Sequence, residues 1–304
     1  MTTKSIFLAV ALAATWLAGS RDQARAVAGY EDVVLINGYN FIANQFNATG
    51  GNGVNNSLTN VMPVCPEGTR AYLWDAANQL FLPPATFHTN TGWSGNFDLP
   101  PGLGFVVFSN TRWTNTFSGQ VPQGSLTNFV AGANKFSLLA STLPIAGQLG
   151  TDLGFPGTDG DNVYLFRSAI QSYTDAFTYF TNYGWFDPKG VADWTGPYVN
   201  LGESFFVQNP GPDANWVQVF NPPAMTASKS LAPVTNASAP DIRSLSLRDG
   251  KATLIISNPG GGQYDVQFSS DGRSWNRVAK QTSATWNGAY SGGRGFFRVV
   301  RSVP

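Results

Sequence analysis

The sequence predicts an all-β protein: two tandem homologous modules of β-sandwich or barrel-like type, followed by a small C-terminal β-sandwich. Three observations lead there. The 304 residues include 33 Gly, 19 Pro and 13 % aromatic but only 12 % charged side chains, the composition of short apolar strands joined by tight turns. Blocks rich in Phe, Tyr, Val and Leu are bounded by Gly, Pro, Asn or Asp, and no stretch sustains a 3.6-residue apolar period over three turns. Finally, five of these blocks recur in the same order, which is the signature of a duplicated unit.

Taken in chain order, Lys4 precedes the apolar run Ile6–Ala18, too short to span a bilayer and of the length of a signal-peptide core. Ala24-Arg25-Ala26 and Ala26-Val27-Ala28 both fit an A-x-A cleavage rule, so residues 1–28 are expected to be a removed secretory signal. The first module is expected over 29–128 and the second over 129–221. Gly38–Asn44 answers to Gly132–Ser141, Tyr72-Leu73-Trp74 to Tyr164-Leu165-Phe166, and Thr91-Gly92-Trp93 to Tyr183-Gly184-Trp185. Pro101–Val107 answers to Leu201–Val207, and Trp113–Phe117 to Trp216–Phe220. Tryptophans recurring at matched positions (Trp93, Trp185, Trp113, Trp216) read as core. Residues 222–240, rich in Pro, Ala, Ser and Thr, are expected to be a linker. The tail, 241–304, resumes the strand pattern; Tyr264–Phe268 alternates as a half-buried strand does, and Asp271-Gly272 marks a hairpin turn.

Composition also excludes function classes. One His and one Cys cannot assemble a multi-ligand metal site of those residue types, a lone Cys has no intrachain disulfide partner, and zero formal net charge offers no basic footprint for nucleic acid. Cys65, between two prolines, reads as a small buried hydrophobe, with an intermolecular bridge as the alternative. The charge is uneven: residues 29–239 carry 6 basic and 13 acidic side chains, residues 240–304 carry 9 and 4.

The body resembles the tandem modules of secreted proteins from Verrucomicrobia, Planctomycetes and related bacteria. Gly38–Asn44 and Gly202–Val207 carry that resemblance; Leu103 departs from it where an acidic or amide residue is expected. The tail, through Gln263–Asp271, Trp275 and Phe296–Val299, is similar to the short fibronectin-III-like modules of the same proteins. The resemblance implies an extracytoplasmic location and a binding or structural role, and supplies no catalytic residues. The chain ends without an apolar tail, so no sorting anchor is expected.

No catalytic constellation is assembled by the sequence. His88 has no G-x-S-x-G elbow to serve, and the glycine pairs at 50–53 and 102–104 lack the remainder of a phosphate-binding loop. Asp175, Asp187, Asp193 and Glu203 are the carboxylates that a glycosidase pair would draw on, each better read as a surface or turn residue. The loop 152–162 is oxygen-rich but lacks the EF-hand ligand order, so a turn is preferred over a Ca²⁺ site. Sugar sites pair flat aromatic faces with Asn, Asp and Gln, which makes carbohydrate binding the leading expectation. Trp194 and Tyr198, with Asp193 beside them, lie in an insertion peculiar to the second unit and are the candidate ligand platform. The expectation is a secreted, non-enzymatic binding protein for carbohydrate or for a matrix or cell-surface partner, without cofactor, metal, nucleic acid or transmembrane segment. Its rivals are a structural surface or fibre component and a weak carboxylate-based glycoside hydrolase.

Overall fold

A computed structural model describes residues 27–50, 53–220, 240–248, 250–258, 261–290 and 293–302. Most of the expected leader and nearly all of the expected linker lie outside the described residues. The chain is all-β, as its turn-punctuated blocks predict. Its first stretch contains β1 (Val27–Leu35), β2 (Gly38–Ala43), β3 (Thr49–Gly50), β4 (Gly53–Val54), a single helical turn Leu58–Val61, β5 (Arg70–Asp75), β6 (Leu80–Phe81), β7 (Ala85–His88), β8 (Gly92–Trp93), β9 (Gly104–Ser109) and β10 (Trp113–Gln120). The second contains β11 (Gly124–Val130), β12 (Lys135–Leu139), β13 (Gly147–Gln148), β14 (Asn162–Arg167), a 3-10 turn Ser168–Ile170, β15 (Ser172–Tyr173), β16 (Phe177–Phe180), β17 (Gly184–Phe186), β18 (Ala192–Asp193), β19 (Tyr198–Val199), β20 (Phe205–Asn209) and β21 (Ala214–Phe220). The tail contains β22 (Asp241–Arg248), β23 (Lys251–Ser257), β24 (Tyr264–Ser269), β25 (Asn276–Gln281), β26 (Thr285–Ala289) and β27 (Arg294–Arg301).

The pairing order repeats. One sheet runs β2-β9-β5-β7-β8 with β6 attached to β5; another runs β12-β20-β14-β16-β17-β18 with β15 attached to β14. In each stretch the leading strand pairs antiparallel with the closing strand, β1 with β10 and β11 with β21. Alternation explains which side chains these ladders bury: Asn115 and Phe117 of β10, like Trp216 and Gln218 of β21, point inward, whereas Thr114, Val217 and Val219 face out. Trp185 and Trp216 are buried in the core around β14 and β20, while Trp93 and Trp113 pack from the edge of the core around β2, β5 and β9. Burying an aromatic of this size contributes about 2 to 3 kcal/mol. Three of these indoles also satisfy their N–H: Trp216 donates to the Leu153 carbonyl (3.0 Å), Trp93 to the Met62 carbonyl (2.8 Å) and Trp113 to Ser109 Oγ (3.1 Å).

The two sheets meet through Phe41, Val106, Leu138, Phe166 and Phe206. Reciprocal main-chain bonds tie the seam: Ala43 N–H donates to the Gly202 carbonyl and Ala140 N–H to the Gly102 carbonyl, both at 2.9 Å. Between them Gln45 is fully committed, donating to the Ser141 and Leu143 carbonyls and accepting from Gly202 N–H.

The tail is not walled off from this body. β1 lies between β10 and β27 in one five-stranded sheet, β10-β1-β27-β24-β25. Ala28 and Tyr30 on one face of β1 belong to the tail's core with Ile242, Leu254 and Phe297, whereas Val27 and Leu35 on the other face belong to the core around Phe105.

Candidate functional site

Two hairpins frame a cleft over the seam. In the first, Asp75 Oδ1 accepts the N–H groups of Ala77 (2.9 Å) and Asn78 (3.1 Å), which forces a tight turn and brings Phe81 opposite Trp74. In the second, the Ser168–Ile170 turn brings Tyr173 opposite Phe166. Each turn ends in a left-handed glutamine, Gln79 at φ 56° and Gln171 at φ 51°. Each glutamine grips the main chain of a strand in the other sheet. Phe136 N–H donates to Gln79 Oε1 (2.8 Å) and Gln79 Nε2 returns a bond to the Phe136 carbonyl (3.0 Å). Tyr39 N–H donates to Gln171 Oε1 (2.7 Å) and Gln171 Nε2 returns one to the Tyr39 carbonyl (3.0 Å).

The cleft has a volume of about 660 Å³ and is lined by six aromatic rings: Trp74, Phe81, Phe136, Tyr164, Tyr173 and Phe206. Phe206 is the floor. It is buried, and its ring centroid lies 5.1 Å from Trp74, 5.9 Å from Phe136, 6.2 Å from Tyr173 and 6.3 Å from Phe81. Trp74 is fixed by donation from Nε1 to the Phe136 carbonyl (2.9 Å). The rims are exposed, Tyr173 at 43 % and Phe81 at 39 %. Partial burial pushes the Tyr173 phenol up to about 12, so it stays a neutral donor at physiological pH. Asp175 is the one charged residue of the lining. Close to the Trp74 and Phe136 end, Asp75 is held below its ordinary range by bonds from Asn78 and Ala77 and by the charge of Lys135. Apolar walls with a few polar groups are the usual make-up of a ligand site.

None of the three residues singled out from sequence lines this cleft. Asp193 is paired across from Trp185, and its carboxylate accepts Thr195 N–H (2.8 Å) and Oγ (2.7 Å), bonds that lower its pKa. Trp194 follows, 58 % exposed, with its ring against Gly184; Tyr198, 49 % exposed, is on β19. Trp194 therefore lies beside the β16–β17 turn, where Tyr183 is also exposed.

The other carboxylates weighed from sequence serve the fold. Asp187 Oδ1 accepts Lys189 and Val191 N–H, and Glu203 pairs with Arg167 (2.9 Å) while accepting Asn200. In the 152–162 loop Asp161 accepts both N–H and Oγ of Thr158, and Asp159 accepts Thr181 N–H. Among the described residues no cluster of three or more His, Cys, Asp or Glu is placed to hold a metal ion. His88 faces Glu67 (2.8 Å) in the open. Cys65 is buried, and burial pushes its thiol up to about 12. No helix of the described residues is long and apolar enough to cross a membrane.

Sequence reasoning paired Tyr72-Leu73-Trp74 with Tyr164-Leu165-Phe166 but passed over the next echo, Gln79-Leu80-Phe81 with Gln171-Ser172-Tyr173. A glutamine two residues before an aromatic, after each matched strand, was the available signal for both the grips and the cleft walls.

No family model, no curated protein and no solved structure matches the chain. The resemblance drawn from Gly38–Asn44 and Gly202–Val207 therefore rests on those residues alone.

Proposed function

We propose that this chain is a secreted, non-enzymatic binding protein built of two homologous modules and a fibronectin-III-like tail, and that it takes a carbohydrate in the aromatic cleft. The observation that supports this is the ring of six aromatic side chains around one open groove. The C–H faces of a sugar stack on such rings, while its hydroxyls need the polar groups that Tyr164, Tyr173, Thr174 and Asp175 provide.

Binding of the full chain to a panel of insoluble and soluble polysaccharides tests the reading, with Tyr173→Ala and Phe81→Ala run beside it. Both rims are more than a third exposed, and the circular dichroism of each variant must match that of the native chain before its affinity is read. Losing one stacked ring costs about 1 kcal/mol or more, a several-fold to tenfold weakening. Absence of binding across the panel, or affinity untouched by both variants, overturns it. Trp194→Ala separates the cleft from the surface of Trp194, Tyr198 and Asp193: weakening by that variant alone moves the site there.

One observation favours the structural-component reading. Phe129, Val217 and Val219 are 57 %, 47 % and 59 % exposed on the outer face of the β11–β21 ladder, and uncharged apolar strand faces invite association. Concentration-dependent sedimentation of the full chain distinguishes it.

A further inference from the structure

We propose that the sugar taken by the cleft carries free amino groups, as in a glucosamine-type polysaccharide; this rests on the carbohydrate reading above. The argument is one of charge. Asp175 is exposed on the lining, and among the described residues its carboxylate has no hydrogen bond or ion pair. Among the described residues no Lys or Arg lines the cleft; Lys135 lies near Asp75 at its rim, and Arg167, next to Phe166, is paired with Glu203 at 2.9 Å. The groove thus presents one uncompensated negative charge among six rings, each with an electronegative face. A protonated amine is attracted by both, through a charge-assisted hydrogen bond and through the ring quadrupoles. A neutral sugar offers Asp175 only a hydroxyl. A uronate or sulfate ester is repelled, locally by Asp175 and globally by a body in which residues 29–239 hold 13 acidic against 6 basic side chains.

The test is calorimetric titration of the full chain with three short β-1,4-linked oligosaccharides of equal length: glucosamine, N-acetylglucosamine and glucose. Short oligomers limit the diffuse attraction of a polycation to an acidic surface. The glucosamine oligomer is expected to bind about tenfold tighter than the other two, the difference a charge-assisted bond makes. Asp175→Asn is expected to shrink that preference to within about threefold, and Phe81→Ala to weaken all the oligomers that bind. Equal affinity for the three, tighter binding of the acetylated oligomer, or a preference that survives Asp175→Asn overturns the amine inference while leaving the cleft a sugar site. Absence of binding by every oligomer overturns the amine inference; absence of binding across the polysaccharide panel as well, or affinities indifferent to Phe81→Ala, overturns both.

Discussion

Glu31 is fully buried, and among the described residues neither of its carboxylate oxygens has a hydrogen-bond partner. It faces the loop at Gly202, where a methyl group would come within 3.2 Å of Oε1. Burial raises its pKa to about 8, opposed by Arg294 and assisted by Asp32. A carboxylic acid with a raised folded-state pKa keeps its proton in the native chain after the unfolded chain has released it. Stability is therefore full below the ordinary carboxylate pKa near 4.5 and falls as pH climbs to about 8. Glu31→Gln keeps the shape without the charge. Its melting temperature should match the native protein at pH 4 and exceed it by about 2 °C or more at pH 8, read by calorimetry. Equal temperatures at both pH values would show Glu31 to be ionised at no cost. Nothing in the pair Glu31-Asp32 by itself marks either carboxylate as buried. The period-two alternation of β1 nevertheless places Glu31 on the face of Val27, Val33 and Leu35, which is legible once the strand is accepted.

The hairpins β5–β6 and β14–β15 act as elements that hold the two sheets together. Each Gln grip makes two hydrogen bonds to the opposite sheet, partly exposed to water, so Gln79→Ala and Gln171→Ala should each cost about 1 to 2 kcal/mol in urea unfolding. The two grips share no partner, and the double variant should lose the sum of the single losses. A double variant no weaker than either single one would mean that the seam is held by its apolar contacts alone. The strands carrying these grips were legible, because blocks such as Tyr72-Leu73-Trp74 and Phe205-Phe206-Val207 are apolar, short and turn-bounded. The cleft was not. Its rings come from β5, β6, β12, β14, β15 and β20, and a linear sequence carries no record of which rings converge. Trp194 stands out in the sequence because it breaks the repeat; the cleft is lined by residues that mostly obey it.

At the scale of the whole molecule, β1 is the common wall of body and tail. Val27 and Ala28, the last two residues of the leader expected from sequence, are buried and paired with Arg298 and Phe297 of β27. Of the two A-x-A sites, processing after Ala26 preserves this strand, and processing after Ala28 removes two of its residues. If the leader is removed as proposed, the processed chain should begin at Val27, measurable by mass spectrometry of the protein recovered outside the cell; a start at Gly29, or an unprocessed chain, would contradict this. The tail's own strands were foreseeable from alternation, as in Tyr264–Phe268. Its dependence on β1 was not, because strand pairing between residues some 270 positions apart leaves no local pattern.

That pairing has a consequence for how the molecule is made. β1 cannot complete its hydrogen bonding until β27 has been synthesised, so a partial product that lacks β27 has no closed sheet around β1. Contacts of such long sequence separation are slow to form. Until β27 is made, β1 keeps one edge unpaired, while the sheets around β9 and β20 need no strand beyond β20 to form.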